Sequence, residues 1–156
     1  MPLFWLQWHM AKCDAEELFD ADKFLKQGYS EADEYERRTG KTFDRRQLDD
    51  RRAKFLMLRA KKNSHTGTEL FRDFKEAIEI TDNILHQDNP HHYPFETLAE
   101  IVQTNGAVGY RIDDGLKAQI NNRLDQLVIY ARKRISVLSS GYQRDKAQSA
   151  LDNFGS

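Results

Sequence analysis

One cysteine in 156 residues, Cys13, excludes an internal disulfide framework and a cysteine-based zinc knuckle. A reducing compartment is the expectation that follows. Proline is almost as scarce, with three in the chain, so few positions are barred from a helix. No stretch of about 18 uncharged apolar residues occurs, which excludes a membrane-spanning helix on length and composition. The apolar opening Met1-Pro2-Leu3-Phe4-Trp5-Leu6-Gln7-Trp8-His9-Met10 has no basic leader, no full-length apolar core and no small-residue cleavage site. It does not read as a signal peptide, and the expected location is the cytoplasm. Glycine-rich phosphate loops, His-Glu-x-x-His and a nucleophile elbow are also missing, and Cys13 sits among acidic residues that disfavour its thiolate. These absences predict no cofactor and lower the expectation of an enzyme.

What the chain has in quantity is charge. Charged residues make up 31% against 39% hydrophobic, with 24 Lys and Arg against 25 Asp and Glu, and the signs are segregated. Residues 1–40 carry net −4, 41–67 net +6, 68–104 net −6 and 105–156 net +3. In a bundle of neighbouring helices such alternation brings opposite charges face to face and favours one pairing over others.

Hydrophobic spacing of three and four predicts an all-α, single-domain antiparallel bundle of about five to seven helices over 1–156. An apolar arm occupies 1–12, and 142–156 is expected to pack weakly. Leu18, Phe19, Ala21 and Leu25 predict a helix from an Asp14 cap to Gln27, stopped by Gly28. Ser30 with Asp33 resembles a capping arrangement for a second short helix closed by Gly40. Asp44 to Lys62 reads as a basic helix with a dense ridge, Phe55 to Leu58, that should meet two neighbours or one neighbour and a partner chain. The next helix, capped by Thr68, carries Phe71, Phe74, Ile78, Thr81 and Leu85 with Leu70, Ala77 and Ile84 beside them. Pro94 opens a shorter helix ended by Asn105-Gly106. A long one starts at Asp113 or Asp114 and runs to about Leu138.

Four groups of residues are candidates for function. Trp5 and Trp8 place large apolar area on a segment too short to fold alone, and with Phe55 and Leu58 they form the expected partner-binding set. The face from Arg45 to Arg52 would set orientation. The alternative is a nucleic-acid surface built from Arg45, Arg46, Arg51, Arg52, Lys54, Lys61 and Lys62, with a second basic cluster over 132–146 (Arg132, Lys133, Arg134, Arg144, Lys146). Leu98 to Val102 with Asn105-Gly106 has the cadence of a helix-turn-helix, although the following helix begins acidic at Asp113 and Asp114. His86, His91 and His92, beside Asp82 and Asp88, offer metal-ligand chemistry, but they straddle a helix end and a proline turn rather than sharing a face. Paired carboxylates such as Asp49-Asp50 read as caps and solvated faces.

Arg59 and His65 form an Arg-x5-His pair that resembles the short signature of the HEPN ribonucleases, an all-helical family that cleaves RNA without metal. The resemblance covers seven residues. It implies proton transfer by His65 and phosphate stabilisation by Arg59. The sequence reading therefore favours a non-enzymatic adaptor or regulator that binds a protein partner or a second copy of itself. Nucleic-acid binding and RNA cleavage are the alternatives, and no membrane is expected among its partners.

Overall fold

The computed structural model describes residues 18–62, 66–88, 91–138 and 141–152. Trp5, Trp8, Cys13, His65 and the Asp14 cap lie outside the described residues, as does the aromatic arm. Among the described residues the fold is an all-α bundle of six α-helices with no strand. They are α1 (Leu18–Thr39), α2 (Arg46–Lys62), α3 (Gly67–Leu85), α4 (Tyr93–Val108), α5 (Asp114–Arg134) and α6 (Gly141–Asp152). Two 3-10 turns, Gly109–Arg111 and Ile135–Val137, follow α4 and α5.

The first helix differs from expectation, because Gly28 does not stop it. Ala21, Leu25, Gly28 and Ala32 are all buried at steps of four, three and four, so one continuous face packs on both sides of the glycine. Glycine inside a helix costs about 1 kcal/mol relative to alanine, less than that face contributes. Ser30 and Asp33 are therefore interior positions rather than a cap. The helix ends where Gly40 takes φ 70° and its amide donates to the Glu36 carbonyl at 2.9 Å, the left-handed closure that glycine allows without strain.

In α2 the Phe55 to Leu58 ridge meets three helices, α1, α3 and α4. Phe55 joins Ala21, Leu25, Ala32 and Leu48 in a small cluster, and Leu56 and Met57 enter the main core with Phe74, Leu85, Phe95 and Ile101. The α3 stripe lies where the spacing put it, with Leu70, Phe74, Ala77, Ile78, Thr81, Ile84 and Leu85 buried. Its N-cap is Thr66 rather than Thr68, and no side-chain capping bond forms there.

Pro94 stands in the first turn of α4, as the missing amide of proline suits. The helix does not stop at Asn105-Gly106. Thr104 and Val108 are buried one turn apart and carry the packed face past the glycine, so the turn that a helix-turn-helix needs is not there. Asp113 caps α5 by accepting from the Leu116 amide at 3.0 Å. Ile120, Leu124, Leu127 and Ala131 then face inward. The last helix contributes Ala147, Ala150 and Leu151 to the main core and packs on α4.

Candidate functional site

Most of the cations of the basic helix α2 are half-buried and engaged by carboxylates. Arg45, just before it, holds Asp33 at 2.7 Å and also Glu36 on α1. Arg52 holds Glu76 at 2.8 Å and Arg59 holds Asp73 at 2.5 Å, both on α3. Lys61 lies 3.5 Å from Glu100 on α4. Arg46 grips Asp44 at 2.7 Å and also donates to the Asp88 carbonyl. The alternating charge blocks thus neutralise one another across helix interfaces. Of the residues proposed for nucleic acid, Arg51 and Lys54 both turn toward the buried Asp50, and Lys62 is exposed at the end of the helix.

Three residues of the later basic cluster are similarly employed, while Lys133 is exposed. Arg134 donates to the Leu85 and Gln87 carbonyls at 3.0 and 2.8 Å, placing a cation on the carbonyl end of α3, where the helix dipole favours it. Arg144 donates to the Leu138 carbonyl, and Lys146 lies over the Tyr142 ring. Arg59, assigned to phosphate by the ribonuclease likeness, has its guanidinium on Asp73 and against the Phe55 ring. An incoming phosphate would have to displace a carboxylate that is 6% exposed.

Asp50 was expected in solvent and is instead 2% exposed, between α2 and α4. Its carboxylate accepts a hydrogen bond from the Thr97 hydroxyl, and the Lys54 and Arg51 cations stand 3.9 Å away. Burial pushes its pKa up to about 6, against the opposing pull of Lys54, the Thr97 hydrogen bond and Arg51. Tyr93 is raised to about 12, by desolvation first and by the Asp50 charge second. Asp49, next to Asp50 in sequence, accepts a hydrogen bond from Tyr29 at 2.7 Å, and burial with that bond raises the phenol. The sequence signal for Asp50 was its register: with Ala53, Met57 and Ala60 it follows steps of three, four and three along the buried stripe of α2.

The three histidines do not converge. His86 stacks on Tyr130 of α5 with ring centroids 3.9 Å apart, and its Nδ1 donates to the Asp82 carbonyl at 2.8 Å. His91 stacks on Tyr93. His92 bonds to Gln143 of α6 through its backbone amide and ring, tying the start of α4 to α6. Among the described residues no group of three His, Cys, Asp or Glu side chains is placed to hold an ion.

Surface depressions among the described residues include three that bear on the candidate residues. One of about 260 Å³ lies between α3 and α5, with Asp82, His86, Arg123 and Tyr130 in its wall. A smaller one of about 130 Å³ shares Ile78 and Arg123 with it. A third, of about 380 Å³, separates α4 and α6 and holds Lys61 beside Glu100, with Lys146 opposite. None gathers an acid, a base and a nucleophile within bonding reach. Large apolar side chains do stand in water: Phe19 is 81% exposed and Ile129 57%, with Tyr110, Tyr142 and Val137 also open. Phe55 offers no such area, being 3% exposed, and Leu58 is half-buried beside it.

No protein-family model matches the chain, and no curated protein or solved structure is detectably similar to it. Among the described residues no helix is long and apolar enough to cross a membrane.

Proposed function

We propose that this chain is a non-enzymatic interaction protein that binds a protein partner through apolar side chains left open on charged helices. The observation that carries this reading is Phe19, 81% exposed in the first turn of α1. It lies seven residues beyond the arm that bears Trp5 and Trp8. Aromatic side chains supply much of the binding energy where proteins meet, because they bury large area with few torsions to fix. The inward commitment of Arg45, Arg52, Arg59 and Lys61 supports protein binding over nucleic acid, and the pairing of Arg59 with Asp73 weighs against phosphate chemistry.

A photo-cross-linking amino acid at position 19, compared with the same group at the exposed Asp145 of α6, tests the reading in an extract of the protein's own cells. A discrete adduct from position 19 and none from position 145 is expected. Equal, diffuse labelling at both positions, or none at either, would overturn it.

A further inference from the structure

The face of α5 turned away from the core is self-complementary, and the geometry points to a two-fold antiparallel pairing of α5 with α5 of a second copy of this chain. Ile120, Leu124, Leu127 and Ala131 face inward. Asp114, Ala118, Asn122, Asp125, Ile129 and Lys133 are all exposed. At about 100° per residue these six fall within roughly a 100° arc opposite the buried stripe.

When two such helices are laid antiparallel about a point between Arg123 and Leu124, each of the six meets its complement. Asp114 faces Lys133, the small Ala118 faces Ile129, and the Asn122 amide faces the Asp125 carboxylate. Each contact occurs twice, as a two-fold interface requires. Among the described residues Asp114, Asp125 and Lys133 are exposed and make no ion pair within the chain, unlike Arg52, Arg59 and Lys61 of α2. Their charges are free to meet across an interface, and Ile129, 57% exposed, would be covered. A parallel pairing would set Asp114 on Asp114 and Lys133 on Lys133, so like charges select the antiparallel register. This pairing uses a different face from Phe19 and stands whether or not Phe19 finds a partner.

One pair of helices buries an area at the small end for specific interfaces, so dissociation is expected on the order of 100 µM. Sedimentation equilibrium of the full chain across that range is the test. Wild type should dimerise, Ile129→Asp should weaken dimerisation by roughly tenfold or more, and Phe19→Ser should leave it unchanged. Asp114→Lys should weaken it, and adding Lys133→Asp to the same chain should restore it. That rescue cannot come from a firmer helix, because the double variant puts both charges at the wrong ends of the dipole.

In a Cys13→Ser background, mixed Asn122→Cys and Asp125→Cys chains should form a heterodisulfide. Ala118→Cys alone should not self-link, since its two copies lie about 16 Å apart along the helices. Circular dichroism should show these surface variants keeping their helices. A monomer at every concentration, a dimer indifferent to Ile129→Asp, failure of the charge-swap rescue, or efficient self-linking at position 118 would each overturn the pairing.

Discussion

Replacing Asp50 by asparagine should change the pH dependence of stability in a way that isolates one buried carboxylate. Asparagine keeps the shape and can still accept the Thr97 hydrogen bond, but it cannot ionise. The folded-state pKa of Asp50 is about 6 against an ordinary value of 3.8. Folding therefore binds a proton more tightly than the unfolded chain does between those values. Because the native state holds the extra proton, stability from this group falls as pH rises from about 4 to about 6 and is level above that. A rise of about two pKa units corresponds to ~3 kcal/mol. Urea unfolding of both proteins at pH 4, 5, 6 and 7.5 gives the difference in stability, in which every other titrating group cancels. That difference, variant minus wild type, should grow by ~2 kcal/mol in favour of asparagine between pH 4 and 7.5, the rest of the effect being lost already at pH 4, just above the ordinary value of 3.8. A difference that stays constant with pH, or grows in the opposite direction, would show that Lys54 and Arg51 outweigh the desolvation of the carboxylate.

Two glycines should respond with opposite signs. Gly40→Ala should cost about 1 kcal/mol in thermal or urea unfolding, because φ 70° strains any L side chain although no atom crowds the site. Gly106→Ala should stabilise by about 0.5–1 kcal/mol, since the position is helical, exposed and open around its Cβ. Phe74→Ala should cost about 3–5 kcal/mol in chemical denaturation, as its fully buried ring cannot be replaced by collapse of the surrounding core. Arg59→Ala should lower stability by about 2–3 kcal/mol by removing the cation beside a nearly buried Asp73, whereas an Arg59 serving only an external phosphate would leave the melting curve unmoved.

The helices were readable because their buried stripes are periodic. The α3 stripe needed no tertiary knowledge, and Asp113 announced its own cap. The stops at Gly28 and Asn105-Gly106 failed for one shared reason. Each is a local preference worth about 1 kcal/mol, and in each the buried face continues one turn beyond it, through Ala32 in α1 and through Thr104 and Val108 in α4.

Charge segregation foretold that acidic and basic helices would face each other. It did not say which cations would be left over, because that depends on the distances across α2 with α3 and α4. The Asp50 site is a pairing of residues 47 apart in sequence, so its Thr97 donor had no local signal. The carboxylate itself was visible as an interruption in the α2 stripe. The divergence of His86, His91 and His92 likewise depends on Tyr130, Tyr93 and Gln143, two of which belong to later helices.

Arg52, Arg59 and Lys61 of α2 are engaged by Glu76, Asp73 and Glu100, which predicts that the positive charge of this helix is not available to a polyanion. Fluorescence anisotropy of labelled single-stranded RNA and duplex DNA, titrated with the full chain from low to physiological salt, tests it most directly. No saturable binding at physiological salt, and at most a shallow salt dependence below it, is the predicted result. Tight binding that falls steeply with salt and is lost on charge reversal at Arg51 and Arg52 would contradict it.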